Sequence, residues 1–217
     1  MSRDRTLKFP WKDEKDFHII FHDIFPLKAL SQKYANFDKL IPNLGKMMSS
    51  LRLLKVWTRR SSDSMFSVTY ELIKKVTEIL QSGSSSDKEV LIDSLSLGLV
   101  KIVNAVVDDK QFKNQFNKKK SMTSIASDIG FSVRAVRERN TIAHSQKTPC
   151  LRQLIECYKE MYVWTYRTWW LPIQKDLVRD LDTYFEVKAH LEALQPPELK
   201  TFESEIENVK SMRVGIF

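Results

Sequence analysis

The sequence predicts an all-α protein. Apolar residues recur at intervals of three and four along nearly all of the 217 residues, which is the spacing of one face of a helix. No run of alternating apolar and polar residues is long enough to indicate a sheet. Glycine occurs only five times, so the chain offers few of the turns that many short strands need. These observations favour a helical bundle.

Proline and glycine divide the predicted helices of the first half. A helix is predicted from Pro10-Trp11 through KDEKDFHIIFHDIF until Pro26, because proline lacks the amide hydrogen that a helix interior needs. The segment FDKLIPNLGKMMSSLRLLKVWTRR is predicted to be helical with a break near Pro42 and Gly45. The segment SMFSVTYELIKKVTEIL follows, and its apolar stripe indicates an amphipathic helix: Phe66, Tyr70, Ile73, Val76 and Leu80.

The second half contains the most apolar predicted helix, VLIDSLSLGLVKIVNAVV, with Ser86 or Asp87 as its N-cap. This segment is apolar around most of its circumference, so we expect it to be the central buried helix. A polar connection, DDKQFKNQFNKKKS, leads to two short helices, MTSIASDI and SVRAVRERNTIAHS. Gly130 separates them, and Ser132 is the expected N-cap of the second. A last long helix begins at Pro149.

The chain is predicted to form one helical domain, residues 1–195, and a C-terminal tail, residues 196–217, which begins at Pro196-Pro197. The net charge of +8 favours a polyanion such as RNA or DNA as partner over a membrane surface. The N-terminus has no apolar signal core, and no stretch is expected to approach a membrane span. Cys150 and Cys157 are too few for a disulfide framework and are expected to be small core residues of a soluble, intracellular protein.

The segment VRAVRERNTIAHS carries the candidate site. Residues three, four and seven apart share a helix face, so four side chains line up: Arg137, Asn140, Thr141 and His144. Arg139 lies about 140° around the helix from His144. Histidine transfers protons near neutral pH, and arginine binds phosphate and stabilises developing charge. These arginine, amide, hydroxyl and imidazole groups together favour cleavage of a phosphodiester. The alternative is that they form a solvated helix surface without a catalytic role.

Other polar and aromatic groups have two interpretations each. Lys118, Lys119 and Lys120 either have a function, as RNA phosphate ligands or as part of a nuclear import signal, or form a solvated loop. Arg59 and Arg60 either offset a helix dipole or contact RNA.

Helical spacing favours a core or subunit interface over base stacking for three tryptophans: Trp164, Trp169 and Trp170. His18 and His22 share a helix face, but no third ligand is indicated, so no metal site or cofactor is predicted.

The candidate motif is part of an ordered series of segments. RNTIAH, Arg139 to His144, fits the pattern R-polar-x-x-x-H of HEPN-domain ribonucleases. It is preceded by Pro10-Trp11 and by SLGLVKIVNAVVD, it ends the segment SIASDIGFSVRAVRERNTIAH, and it is followed by Pro149 and by YVWTYRTWW. This series, over about residues 9 to 172, resembles the Las family of HEPN endoribonucleases. The sequence departs from the family pattern with Glu138, Asn140 and Ala143, where the family usually has an aliphatic residue, histidine and threonine.

The resemblance implies a HEPN-type helical bundle that works as a homodimer in the nucleus and nucleolus. It implies metal-independent cleavage of the internal transcribed spacer of precursor ribosomal RNA, leaving a 2′,3′-cyclic phosphate and a 5′-hydroxyl. His144 would be the general base or acid, Arg139 would stabilise the phosphorane, and Asn140 would position the substrate or the imidazole. Arg137 is a second candidate for phosphate binding.

The resemblance also implies partners. A polynucleotide 5′-kinase of the same processing complex is expected to dock on the C-terminal region, here the segment LKTFESEIENVKSMRVGIF. The dimer interface is expected to use four apolar and aromatic residues: Val133, Val136, Trp164 and Trp169. Two alternatives stay open, a catalytically weakened module that binds RNA or scaffolds the kinase, and a toxin-like HEPN nuclease that acts on transfer RNA.

Overall fold

The computed structural model describes residues 10–11, 14–31, 34–82, 87–113, 120–144 and 149–178, with the backbone alone for 108–113. Within these ranges every regular element is a helix, and an isolated bridge joins Leu30 to Ala35. The predicted all-α class is therefore confirmed. The predicted tail, residues 196–217, lies outside the described residues.

The described residues include seven α-helices and two 3₁₀-helices with assigned bounds. The α-helices are α1 (Glu14–Ile24), α2 (Leu44–Arg60), α3 (Ser64–Gln81), α4 (Lys88–Lys113), α5 (Met122–Asp128), α6 (Val133–His144) and α7 (Leu151–Thr165). The 3₁₀-helices are Leu27–Ala29 and Phe37–Asn43. After α7 the chain continues through a π-helical turn, Tyr166–Trp170, into a helix over 171–178.

Two predicted boundaries differ from the structure, and one agrees with it. Pro10 and Trp11 form a bend, and α1 is described from Glu14 onwards. The predicted polar connection after the central helix is partly helical, since α4 continues to Lys113. The predicted break near Pro42 and Gly45 is confirmed, because the 3₁₀-helix that contains Pro42 ends at Asn43 and α2 begins at Leu44.

Side chains cap the helices at several of the expected places. Ser132 Oγ accepts a hydrogen bond from the backbone N–H of Ala135 at 3.0 Å, which confirms it as the cap of α6. Asp87 Oδ1 accepts from the N–H of Glu89 at 3.0 Å at the start of α4. Such caps bind backbone donors that have no partner within the first turn, so these helix starts are fixed by local sequence.

An aromatic cluster joins α1, α2, α3 and the end of α7. Trp170 is fully buried, its ring stacks on Phe17 at a centroid distance of 5.3 Å, and its Nε1 donates to Thr69 Oγ1 at 3.0 Å. Trp11 is also buried in this cluster, and the centroid of its ring lies 5.4 Å from that of Trp57. The prediction that the tryptophan-rich segment belongs to the core is confirmed for Trp170, and a buried ring that is fully packed cannot stack on a base.

Helix α4 lies at the centre of the bundle and packs against α3, α6 and α7. Its stretch Lys88–Val107 is long and apolar enough to cross a membrane by length and composition, with a mean hydropathy of 1.9. The expectation that no stretch approaches a membrane span is therefore wrong by this measure. Half of the stretch is buried inside the fold, with Leu95, Leu99 and Val103 fully covered, so its apolar composition is that of a core helix.

Gly98 marks a close approach of α3 and α7 to α4. A Cβ atom at this position would lie 2.7 Å from the Tyr158 hydroxyl and 2.8 Å from Cε and Cγ of Lys75. The Tyr158 hydroxyl donates to the carbonyl of Leu95 at 2.7 Å. Lys75 is buried, and its ammonium donates to Ser94 Oγ at 2.6 Å and to Glu78 Oε2 at 3.0 Å. Its charge is thus paired, as a buried cation requires.

Burial also changes the acidity of three groups on α7. Desolvation by burial is the main reason that the pKa of Cys157 rises from 9.0 to about 12, and the nearby carboxylates of Glu138 and Glu160 raise it further. Burial likewise raises the pKa of Tyr158 and Tyr162 above the usual range. Cys157 is a core residue as expected, but Cys150 is exposed at the N-cap of α7, so that prediction is wrong for one of the two cysteines.

The contact at Gly98 leads to a matched pair of substitutions. Gly98→Ala should lower the free energy of unfolding by about 1–3 kcal/mol, because the added methyl group displaces Tyr158 or Lys75. Gly45→Ala should leave stability unchanged or raise it by up to about 1 kcal/mol, because nothing lies within 4 Å of that Cβ. Urea unfolding followed by circular dichroism measures both. Equal stability of the two variants would show that α4 does not depend on this close contact.

Candidate functional site

Helix α6 carries the candidate residues and lies between the core and the surface. It packs against α4, α5 and α7, and Ala135 and Val136 on its inner side are fully buried. Trp164 on α7 is 7% exposed, and its Nε1 donates to the carbonyl of Ile129 at 3.1 Å. The expectation that Val136 and Trp164 form a dimer interface is therefore wrong, because both are already buried within their own chain. Val133 and Trp169 are only partly buried.

The N-terminal end of α6 is anchored to its neighbours. Gly130 adopts a φ of 66°, a left-handed conformation that favours glycine, in the turn between α5 and α6. Ser132 Oγ, besides capping α6, donates a hydrogen bond to Glu160 on α7. The other oxygen of the same carboxylate lies 3.4 Å from Arg134 Nε. Glu160 therefore holds the first turn of α6 against α7.

The middle of α6 is anchored through Arg139. Its Nε donates to Asn104 Oδ1 on α4 at 2.9 Å, and its Nη1 donates to Asn140 Oδ1 at 3.1 Å. Arg139 and both asparagines are half-buried. These two bonds use the Nε–H and one N–H of Nη1, so the second hydrogen of Nη1 and those of Nη2 are left for other acceptors. The arginine is thus oriented and still able to bind an anion.

The C-terminal end of α6 is exposed. His144 is the last residue of the helix, and its side chain is exposed, as are those of Arg137 and Thr141. The Thr141 hydroxyl donates to the carbonyl of Arg137 at 3.1 Å. The predicted line of side chains therefore lies at the surface, except that the amide of Asn140 is bonded to Arg139. The structure pairs Asn140 with the motif arginine rather than with the histidine.

The other sequence candidates are the lysine run before α5 and the two histidines of α1. Lys120 pairs with Asp128 at 2.7 Å, and both side chains are about half exposed, so a local ion pair competes with phosphate for this cation. Lys118 and Lys119 lie outside the described residues. Among the described residues, no group of three or more His, Cys, Asp or Glu side chains is placed to hold a metal ion. His18 is half-buried, and His22 is exposed.

Sequence reasoning did not find two residues that position the site, Asn104 and Glu160. Asn104 had a visible signal, because it is a polar residue inside the otherwise apolar run IVNAVV of the central helix. A half-buried amide needs a hydrogen-bond partner, and here the partner is the motif arginine. Glu160 had no such signal, since a glutamate in an amphipathic helix is usual at the surface.

The bond between Arg139 and Asn104 leads to a prediction about side-chain order. Asn104→Ala should release the Arg139 guanidinium, because only the bond to Asn140 would remain. The Nε–H resonance of Arg139 should then exchange faster with water and show a lower NMR order parameter. Arg137, which is exposed, is the internal control and should not change. An unchanged Arg139 signal would mean that Asn104 does not orient the guanidinium.

The sequence was compared with known protein families and with curated proteins. No curated protein gives a significant match. The family model described as Las1-like matches residues 9–172, a range that begins before α1 and includes α2 to α7. This range contains Asn104 and the whole of α6, and it agrees with the resemblance seen in the ordered sequence segments. The chain therefore belongs to the Las1-like family.

Proposed function

We propose that this protein is an endoribonuclease of ribosomal RNA processing that cleaves the internal transcribed spacer of the precursor. Membership of the Las1-like family supports a nuclease role in that process. The observation that carries the proposal is the orientation of Arg139 by Asn104 and Asn140 on the helix that ends in His144. A cation held in place and an exposed imidazole on the same helix are two groups that assist cleavage of RNA by its own 2′-hydroxyl.

In the proposed reaction the ribose 2′-hydroxyl attacks the adjacent phosphorus. One imidazole accepts the proton of this hydroxyl, and a second proton donor protonates the departing 5′-oxygen. The products are a 2′,3′-cyclic phosphate and a 5′-hydroxyl, and no metal ion takes part. Arg139 stabilises the charge of the phosphorane with its remaining N–H groups. Arg137, exposed on α6, binds a neighbouring phosphate.

The site is proposed to be shared between the two chains of a HEPN-type homodimer. Arg139 is turned towards α4, whereas His144 lies exposed about 140° around the same helix. This arrangement supports a site in which His144 of one chain and Arg139 of the other chain act on the same phosphate. A two-fold axis near the end of α6 would also bring two His144 side chains together, one as base and one as acid.

The proposal places the protein in the nucleus and nucleolus with two partners, precursor ribosomal RNA and a polynucleotide 5′-kinase. The kinase would phosphorylate the new 5′-hydroxyl, and its proposed docking segment is the tail, which lies outside the described residues. The catalytically weakened scaffold is a second candidate. Two features favour it. Asn140 stands where the family usually has histidine, and an amide does not transfer protons. In addition, the Asn140 amide oxygen is already bonded to Arg139.

Replacing the histidine tests the chemistry. Wild-type protein should cut spacer RNA in the presence of EDTA, and His144→Ala should reduce cleavage by at least about a hundredfold. RNA binding should persist in this variant, because Arg137 and Arg139 remain to bind phosphate. Arg139→Ala should lose cleavage and part of the binding, since its charge acts before and during the reaction. His22→Ala is the matched control.

Three outcomes decide between the candidates. Cleavage of transfer RNA in preference to spacer RNA would favour the toxin-like nuclease. RNA binding without cleavage by the wild-type protein would favour the scaffold. Normal cleavage by His144→Ala would show that the histidine has no catalytic role.

A mixed dimer tests the shared site. Two differently tagged chains, one wild type and one His144→Ala, are purified together so that each dimer carries His144 in one chain only. A site that needs the His144 side chains of both chains should retain far less than half of the wild-type activity, because every such site then lacks one proton-transferring group. Retention of half the activity would indicate two independent sites in the dimer and remove the role of the second histidine.

A further inference from the structure

An open cleft of about 250 Å³ lies between the end of α2, the first half of α3 and the middle of α4. Thr58, Tyr70, Glu71 and Lys101 are among the residues that line it. The cleft is not part of the cluster on α6, but the two are connected through α4. Lys101 precedes Asn104 by three residues, which places it about 60° around the helix and less than one turn away. It lies between the cleft and the arginine site.

The side chains of the cleft match the parts of a nucleotide. Tyr70 is half-buried and brings an aromatic ring to the wall of the cleft, and aromatic rings are the groups on which bases stack. Lys101 is exposed and offers a cation for the phosphate. The Glu71 carboxylate offers acceptors for the amino group of a base. Thr58 brings the end of α2 to the cleft, and the exposed cations of Arg59 and Arg60 follow it directly.

We propose that this cleft is a subsite for a single-stranded RNA nucleotide whose base carries an amino group on its Watson–Crick edge. The nucleotide flanks the phosphodiester held at Arg139, so the inference rests on the proposed function. The strand leaves the arginine site along Lys101, places its base on Tyr70 and continues towards Arg59 and Arg60. Cytosine, adenine and guanine offer an amino group to Glu71, whereas uracil has no amino group and offers the carboxylate only N3–H between two carbonyl oxygens that the carboxylate repels.

The occupant is identified by charge and by ring chemistry. Among the described residues, no carboxylate lies within ion-pair distance of Lys101, Arg59 or Arg60. The helix α2 has five basic residues and no acidic one: Lys46, Arg52, Lys55, Arg59 and Arg60. A polyanion therefore fits this end of the cleft better than an acidic or apolar peptide surface. The single carboxylate, Glu71, is suited to select a base and not to hold a phosphate.

The test is the binding of short 2′-O-methyl oligonucleotides, which cannot be cleaved through the 2′-oxygen, by the full chain. Oligocytidylate and oligouridylate are compared by fluorescence anisotropy, because cytosine and uracil differ in the amino group at position 4. The wild-type protein should bind oligocytidylate about tenfold more tightly than oligouridylate. Glu71→Gln should remove this preference, since an amide both donates and accepts.

Two variants test the phosphate and the ring. Lys101→Ala should lower the affinity for both oligonucleotides about three- to tenfold. Lys88→Ala is the control, because it removes the same charge from the same helix about 20 Å away. Tyr70→Leu keeps an apolar side chain and removes the stacking face, and it should weaken binding about five- to tenfold. Thermal unfolding identifies any variant that does not fold.

The outcomes separate this inference from the proposed function. No binding by the wild type, no preference for cytidine, or equal effects of Lys101→Ala and Lys88→Ala would overturn the subsite, whatever the protein cleaves. Preference for cytidine that depends on Glu71 and Tyr70 would support the subsite even if spacer RNA is not cut. In that case the cleavage proposal alone would fail.

Discussion

The close contact of α3, α4 and α7 at Gly98 is the constraint on which the rest of the structure depends. Without a side chain at this position, the Tyr158 hydroxyl reaches the Leu95 carbonyl, and the stem of Lys75 lies against α4. The ammonium of Lys75 then reaches Ser94, so the buried cation is satisfied. A larger residue would displace the Tyr158 hydroxyl and the stem of Lys75 and disturb both contacts, because a packed interior has no room for an added methyl group.

The position of α4 in turn decides where the site lies. Asn104 follows Gly98 by six residues, about 9 Å along the helix, and its amide oxygen orients Arg139 on α6. Lys101 lies between these two positions and lines the cleft on the side of α3. One helix therefore supports the motif arginine on one side and the proposed nucleotide subsite on the other. A shift of α4 would move both together.

The first turn and inner face of α6 anchor the helix to the fold, whereas its second half carries the candidate catalytic residues. Its first turn is fixed by Ser132 and Glu160, and its inner face is buried through Ala135 and Val136. The arginine is held by two amide oxygens, while His144 remains exposed at the end. A fixed cation reduces the reorganisation needed when charge develops on a phosphate. An exposed histidine at a helix end is accessible to substrate and to a second chain, as the proposed shared site requires.

The sequence by itself determined the helical class, the burial of the central helix, the cap at Ser132 and the position of the RNTIAH motif, because periodicity and capping depend on residues close in the chain. It placed Trp170 in the core for the same reason. Only the tertiary structure decided that Arg139 bonds to Asn104 and that Val136 and Trp164 are buried within their own chain. Asn104 and Arg139 are 35 residues apart, and no local pattern encodes which faces of two helices will meet.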